Sequence, residues 1–156
     1  MQGNPKIIEA LNEVLTAELT AINQYYIHFK MCENWGYKGL AAHHRAESVE
    51  EMQHADKLIE RILFFDGVPN MQRLNPVKVG ETVPEQHELD LALEIDAQAR
   101  LNKGIKLCRA EGDNGTRALF EAILLDEEEA IDWAEAQLGM IKDMGVENYL
   151  TEQMRD

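Results

Sequence analysis

Four long segments of this chain each carry one glutamate at a position where a helix would face its core. These residues are Glu18, Glu51, Glu94 and Glu127, and His54 follows Glu51 by one helical turn. Burying an ionised carboxylate costs several kcal/mol unless a positive charge compensates it. Four glutamates that converge between helices therefore predict a bound metal ion.

The spacing of the apolar residues assigns each glutamate to an inward helical face. In steps of three and four residues, these faces contain positions 11-15-18-22-25-29, 44-47-51-54-58, 90-94-97-101 and 119-123-127-130-134. Each glutamate lies near the middle of its helix, so the four carboxylates could meet at a similar depth. No lysine or arginine occupies these faces near the glutamates, which favours a metal ion over ion pairs with basic side chains.

The ligand types indicate which metal the site would hold. Oxygen-rich ligation with a single imidazole suits iron or manganese better than structural zinc, which favours cysteine and histidine. Four carboxylates are enough for two of them to bridge a pair of metals while one caps each metal. Such a pair can deliver two electrons to dioxygen, so the sequence predicts ferrous oxidation or oxygenation chemistry.

The elements that must position these residues are long helices with recognisable ends. Asn4, a capping residue followed by Pro5, begins the first helix, which ends at Gly36. The second helix is predicted over residues 37–66 and stops at Gly67, with a proline shortly beyond. Both ends follow the usual asymmetry of proline at helix starts and glycine after helix ends.

The second half of the chain follows a connector of about 16 residues, in which the apolar residues show neither a helical nor a strand period. The predicted boundaries are Thr82 to Gly112 for the third helix, Asp113 or Asn114 to Gly145 for the fourth, and 146–154 for a small final helix. Strand patterns are absent. The sequence therefore predicts an all-α fold, a four-helix bundle with one long crossover connection and a short C-terminal helix.

Composition narrows the class of protein further. A chain of 156 residues suits one domain, covering residues 1–156. The net charge of −14 argues against nucleic acid or an anionic membrane as the main partner. We find no secretory signal and no apolar run of about 18 residues. Cys32 and Cys108 lie far apart and form no C-x-x-C motif, so we expect reduced thiols and a cytoplasmic protein.

Several segments resemble the bacterioferritin family. They are residues 18–25 (ELTAINQY), 47–56 (ESVEEMQHAD), 61–64 (RILF), 131–133 (IDW) and 147–150 (ENYL). The resemblance extends over essentially the whole chain without large gaps. It implies a ferritin-like four-helix bundle that assembles into a hollow cage of 24 subunits, takes in ferrous iron, oxidises it and stores a ferric mineral.

The resemblance also implies roles for the inward residues. The implied iron ligands are Glu51 and Glu127 as bridges, Glu18 and Glu94 as terminal ligands, and His54 on the first iron. Tyr25, beside this site, would be a candidate electron donor.

Bacterioferritins also bind haem b at the two-fold contact between subunits, with one methionine from each side on the iron. The matching residue here is Met52, which lies about 100° around the helix from Glu51 and so points away from the bundle core. An outward methionine is more often simple interface packing when the sequence is considered alone. The resemblance favours the ligand, with a pocket lined by Leu19, Ile22, Asn23 and Tyr26.

The chain departs from the family at Ala130, where ferroxidase subunits have histidine. The change removes a nitrogen donor from the second iron, so we expect a first site that binds and a second that is weak. Glu128 and Glu129 lie about 100° and 200° from Glu127 and do not replace it. Ala46 replaces an inner-surface histidine found in some members, which affects an accessory iron route.

These observations predict an iron-storage cage subunit with a haem ligand and an incomplete ferroxidase centre. It could co-assemble with a sister subunit that keeps the second histidine, and a bacterioferritin-associated ferredoxin is a possible partner. One alternative is a fully active ferroxidase in which water or a shifted acid replaces the imidazole. Two others are a DNA-protecting mini-cage, whose usual basic tail is not evident here, and a plain structural bundle.

Overall fold

Five α-helices make up the fold in the computed structural model, which describes residues 1–155; this range contains no β-strand. The helices are α1 (Pro5–Trp35), α2 (Lys38–Phe64), α3 (Val83–Glu111), α4 (Asn114–Met144) and α5 (Val146–Gln153). Helix α1 packs mainly on α2 and α3 mainly on α4, and contacts between α1 and α3 join the two pairs. The predicted all-α class, with four long helices and a short final one, is confirmed.

Most of the predicted helix ends are confirmed by their capping contacts. The side chain of Asn4 accepts a hydrogen bond from the Lys6 backbone N–H at 2.8 Å. Asp113, rather than Asn114, caps α4 by accepting from the Thr116 N–H at 2.9 Å. Gly36 adopts a φ of 86°, in the left-handed region where glycine has no steric penalty.

The predicted end of α2 is wrong by two residues. The helix stops at Phe64. The left-handed residue that ends the turn was expected at Gly67, but it is Asp66, which has a φ of 58°. Gly67 suits its position for a different reason. A Cβ at this position would lie 3.0 Å from side-chain carbons of both Ile8 and Ile62, so a larger residue would force these side chains to shift by a few tenths of an ångström.

Two apolar clusters occupy opposite ends of the bundle. The larger one surrounds Leu11, Leu58, Leu101 and Phe120, and the smaller one joins the far ends of the helices to α5. The predicted glutamates lie between these clusters. Burying the two apolar ends holds the four helices in register at the middle of the bundle, where the polar residues are.

The long connection between α2 and α3, residues 65–82 and here called the crossover, lies along α1. It covers a row of buried polar side chains at every fourth position of that helix. This polar row consists of Asn12, Thr16, Thr20, Gln24 and His28. Because the row occupies part of the helix surface, Ile22 and Phe29, which were predicted to face the core, are only half-buried.

Each member of the polar row accepts a hydrogen bond from the crossover. Four of the donors are backbone N–H groups and one is the guanidinium of Arg73. The donor–acceptor distances are 2.7 Å for Asn70 to Asn12, 2.9 Å for Arg73 to Thr16, 2.9 Å for Asn75 to Thr20, 3.2 Å for Lys78 to Gln24 and 2.9 Å for Gly80 to His28. The crossover thus satisfies its backbone without secondary structure of its own.

We expect Thr20→Val to destabilise the fold, because valine keeps the shape of threonine and leaves the Asn75 N–H without its acceptor. The loss should cost about 1 to 3 kcal/mol, which lowers the thermal midpoint by roughly 2 to 10 °C. Thr151→Val is the matched control, since that exposed hydroxyl only donates to the Glu147 carbonyl one turn earlier. Equal thermal midpoints for Thr20→Val and the control would contradict this account of the crossover.

Candidate metal centre

Three glutamates and one histidine converge at the middle of the bundle. The residues are Glu18 on α1, Glu51 and His54 on α2, and Glu127 on α4, and all four are buried. One ligand atom from each lies within 4.8 Å of the others. Donor atoms at this spacing can surround a metal ion after small adjustments of the side chains.

His54 stands at the centre of this group. Its Nδ1 atom is 3.2 Å from Glu127 Oε1, 3.4 Å from Glu18 Oε2 and 3.8 Å from Glu51 Oε2. The nitrogen that faces the carboxylates is therefore Nδ1, while Nε2 points away. This geometry makes Nδ1 the metal-binding atom of the imidazole.

Glu94 approaches the same place from α3. It lines a small cavity of about 10 Å³ together with Glu18, Glu51 and Glu127. Its Oε1 atom accepts a hydrogen bond of 2.7 Å from the Tyr25 hydroxyl. The structure thus places all four predicted glutamates around one cavity, with Tyr25 directly bonded to one of them. Arg100 also lines this cavity, although its guanidinium pairs with Asp96 at 2.7 Å, so the expectation that no basic side chain lies near the glutamates is wrong.

The electrostatics of this group favour binding of a cation. Burial, and then the nearby Glu127, raise the pKa of Glu18 to about 8. Burial alone would lower the pKa of His54, but its contacts with Glu127 and Glu18 outweigh that effect and raise the pKa to about 11. An imidazolium and retained protons thus compensate charge that a metal ion would otherwise neutralise.

Several potential metal-ligand atoms of the group make no well-aligned hydrogen bond within residues 1–155. They are Glu18 Oε2, His54 Nδ1, Glu94 Oε2 and Glu127 Oε1. A buried polar atom without a partner costs about 1 to 3 kcal/mol, and more when it is charged. Three of these atoms belong to glutamates that line one cavity, and the fourth, His54 Nδ1, faces two of those glutamates. This arrangement fits a cation with oxygen-rich ligation, as iron and manganese prefer.

Comparison with known proteins identifies the family. Residues 8–144 match the ferritin family, described as a ferritin-like domain. The chain is 52% identical to the bacterioferritin of Mycolicibacterium paratuberculosis over 149 residues, which is 96% of this chain and 94% of the relative. The chain belongs to the bacterioferritin family. It is also 50% identical to the bacterioferritin of Streptomyces coelicolor over 151 residues, covering 97% and 90% of the two chains.

A more distant relative agrees with this assignment. The bacterioferritin of Brucella melitensis is 46% identical over 149 residues, covering 96% of this chain and 92% of the relative. As a bacterioferritin, the chain is an iron-storage subunit of a family whose members form multimeric cages and in general oxidise ferrous iron. Within residues 1–155, none of the helices combines the length and apolar character that a membrane crossing requires.

Position 130 of this bacterioferritin lies on the buried face of α4. Ala130 is 7% exposed and follows Glu127 by one helical turn, so its methyl group points into the bundle. Glu128 and Glu129 are exposed, and Glu128 accepts a hydrogen bond from Gln98. The predicted directions of these three side chains are confirmed. Neither Glu128 nor Glu129 points into the bundle, so neither can replace a ligand at position 130.

Sequence reasoning missed Asp126. Its Oδ2 atom lies 2.8 Å from His54 Nε2, and together with Glu50 it forms a second group of possible ligand atoms on the outer side of that imidazole. Asp126 belongs to an acidic run, and no spacing rule distinguishes it from its exposed neighbours. Ala46, which was predicted to affect an accessory route, is exposed.

The predicted haem residues are partly brought together. Met52 is 55% exposed and lines a groove of about 440 Å³ with Leu19 and Ile22. Val49 and Met71, which the sequence reasoning did not select, line the same groove. The other two predicted residues, Asn23 and Tyr26, are exposed on α1 but are not part of its lining.

Proposed function

We propose that this chain is a haem-binding subunit of a 24-subunit iron-storage cage, with a di-iron ferroxidase centre that lacks one imidazole. The chain would act as a single domain in the cytoplasm, which its two free, buried cysteines favour. The observation that carries the proposal is the set of four buried glutamates around one cavity, with unpartnered oxygens facing His54.

The bridging ligands in this proposal are Glu51 and Glu127, and the terminal ligands are Glu18 and Glu94. Glu18 and His54 approach each other to 3.4 Å, which supports placing both at the first iron. Glu94 comes from α3, supporting its assignment to the second iron. Bound ferrous ions would supply the electrons that reduce dioxygen.

Asp126 is a positioning residue for His54 in this scheme. Metal-bound histidines commonly donate their second ring N–H to a carboxylate, which fixes the tautomer and the orientation of the ring. The 2.8 Å contact between His54 Nε2 and Asp126 Oδ2 has this arrangement. Asp126 thereby keeps the Nδ1 lone pair directed at the cavity once a metal ion displaces its proton.

Tyr25 is suited to donate an electron. Burial, and then Asp90, raise the pKa of its hydroxyl well above the ordinary value, so the ring is a neutral phenol at physiological pH. The hydroxyl donates to Glu94 Oε1 at 2.7 Å. If the ring supplied one of the electrons that reduce dioxygen, its hydroxyl proton would pass to the Glu94 carboxylate along the existing hydrogen bond.

The second iron would be held weakly, because Ala130 offers no donor atom where a second imidazole would complete its coordination. Glu94 and the two bridging carboxylates would remain. Rapid oxidation would then depend on co-assembly with a sister subunit that keeps this histidine. A bacterioferritin-associated ferredoxin would be the partner for iron release.

Haem would bind where the grooves of two subunits face each other across a two-fold axis. The groove is mostly apolar, and it presents the thioether of Met52, an established type of axial haem ligand. Leu19 and Ile22 would supply apolar contacts to the haem from α1. A second copy of the chain would supply the second methionine.

Anaerobic titration with Fe(II) tests the metal centre. The homomeric cage should bind about one ferrous ion per subunit tightly, with further binding at least tenfold weaker. Glu127→Gln should abolish the tight site, because it removes a charged ligand from the cavity. The control is Glu128→Gln, which changes the adjacent exposed acid and should leave the titration unchanged.

Two results would contradict the proposal. One is a wild-type cage that binds no ferrous ion tightly, and the other is equal weakening by Glu127→Gln and Glu128→Gln. The second result would show that the net charge of the subunit, rather than the buried cavity, attracts iron. Assembly of both variants should be checked by sedimentation, so that loss of binding is not loss of the cage.

A further inference from the structure

A second group of buried polar side chains lies two helical turns from the metal centre. His44 precedes Glu51 by seven residues on α2, and His87 precedes Glu94 by seven residues on α3. This spacing keeps them on the same inward faces and displaces them by about 10 Å along the bundle. Both histidines are fully buried.

The hydrogen bonds of His87 determine its tautomer. The Tyr149 hydroxyl donates its proton to Gln137 Oε1 at 2.6 Å. The hydroxyl oxygen of Tyr149 must therefore be the acceptor in its 3.0 Å hydrogen bond with His87 Nε2. Nε2 therefore carries the ring proton. The Nδ1 atom is left with a lone pair, and it has no hydrogen-bond partner among residues 1–155.

Asp90 on α3 is held so that one oxygen remains available. The Gly80 N–H donates to His28 Nε2, so His28 Nδ1 carries the proton that it donates to Asp90 Oδ1 at 3.0 Å. Gln24 also donates to Oδ1, at 2.9 Å. Oδ2 shares the proton of His28 Nδ1, at 3.2 Å, so it keeps one free lone pair; it lies 3.8 Å from His44 Nδ1.

His44 itself has no hydrogen bond. Neither ring nitrogen has a partner in the described part of the chain, although the side chain is 0% exposed. Leaving two buried polar atoms unpaired is costly. The ring is surrounded by His28, His43, His87 and Trp133, with its centroid 5.9 Å from that of His87.

We propose that His44, His87 and Asp90 form a second, separate site for one divalent transition ion, of which Zn²⁺ is the probe. The ligand atoms are His44 Nδ1, His87 Nδ1 and Asp90 Oδ2. Two imidazoles and a carboxylate are a common donor set for such ions, with water completing the coordination. The bound ion would also balance the buried charge of Asp90.

The geometry is compatible with one shared ion. Ligands bound at about 2.1 Å lie about 3 to 4 Å apart, and their imidazole centroids lie about 5 to 6 Å apart. The 3.8 Å and 5.9 Å separations given above fall within these ranges. In residues 1–155 these three residues do not form a set within 4.8 Å, and because His44 and Asp90 are already 3.8 Å apart, the longer separation is the one to His87, whose ring must move toward the other two when an ion binds.

The protonation states favour metal binding at neutral pH. Burial, and then the other histidines nearby, lower the pKa of His87 to about 4 and that of His44 well below its ordinary value. Both rings are therefore neutral, and an incoming ion does not compete with a proton for their lone pairs. A buried water molecule is the alternative occupant, since it could also satisfy these atoms.

Anomalous diffraction at the zinc edge, on crystals of the intact metal-free cage soaked in Zn²⁺, distinguishes these occupants. We expect a zinc peak bounded by His44, His87 and Asp90, separate from any peak at Glu18, Glu51 and His54. His87→Phe should abolish this peak. The matched control is His43→Phe, which should keep it, because His43 stacks on Trp133 and supplies no ligand.

Equilibrium dialysis provides a second measurement that does not depend on crystals of the variant. His87→Phe should bind one zinc ion per subunit fewer than the wild type, and His43→Phe should bind the same number as the wild type. Water or no density at this position in zinc-saturated wild-type crystals would overturn the proposal. So would a peak, or a zinc count, that survives in His87→Phe. The zinc peak at His44 and His87 would be resolved from any peak at Glu18, Glu51 and His54. Its absence would therefore not count against the proposed iron centre.

Discussion

Replacing Ala130 with histidine should raise the initial rate of aerobic Fe(II) oxidation by the homomeric cage about 10- to 100-fold. Ala130 is buried, faces the bundle interior and follows Glu127 by one turn. A histidine there would point toward the four glutamates and, in the di-iron centre proposed above, would supply a nitrogen ligand to the second iron. Binding of both ions is what allows two electrons to reach one dioxygen molecule.

The measurement is stopped-flow oxidation with two ferrous ions added per subunit. Leu125→His is the matched control, because it adds an imidazole to the same helix at a side chain that is 64% exposed. The control should oxidise iron at the wild-type rate. Equal, rapid rates for the wild type and Ala130→His would instead support the alternative in which water or a shifted acid completes the second site.

Met52→Leu should reduce the haem content of the assembled cage at least tenfold. Leucine keeps the apolar surface of the groove and removes the sulfur that would bind the haem iron. Iron uptake should continue, since Met52 is exposed and points away from the four buried glutamates. The effect is therefore a loss of one cofactor with retention of the cage.

The Soret absorbance per subunit, after reconstitution with excess haem and gel filtration, provides the measurement. Met71→Leu is the control, because Met71 lines the same groove and is 53% exposed. It should retain the haem content of the wild type. A wild-type cage that takes up no haem, or equal losses in both variants, would show that the groove is a protein contact only.

The sequence was sufficient to predict the inward positions of the glutamates. Steps of three and four residues depend only on helix geometry, so Glu18, Glu51 and Glu127 could be placed on their faces without tertiary information. The helix ends were similarly local, since capping side chains and glycines act within one turn. The error at Asp66 arose because Gly67 was assigned to chain reversal when its role is close packing.

Features that depend on contact between distant segments could not be predicted. Asp126 acts on His54 from another helix, across 72 residues of sequence. The approach of His44 to His87 and Asp90 likewise depends on the assembly of the whole bundle, because α2 packs mainly on α1 and α3 mainly on α4. Helical periodicity shows that a side chain faces inward, but it does not show which side chain it meets there.

The polar row was overlooked for a related physical reason. A repeat of polar residues at every fourth position resembles a solvated face, and here that face is covered by the crossover. Such a row can be buried when a long connection lies over it and pairs its own backbone N–H groups with the polar side chains. The match between acceptors in residues 12–28 and donors in residues 70–80 becomes evident only when both segments are seen together.

This arrangement ties the rotation of α1 to the shape of the connection. Turning the helix by one residue, about 100°, would swing Glu18 away from the cavity and separate all five acceptors from their donors. The crossover therefore fixes the rotation of α1 about its axis, and with it the direction of Glu18, which we propose as an iron ligand. An insertion or deletion in the crossover would therefore change the direction of the Glu18 carboxylate, although the crossover is distant from Glu18 in sequence.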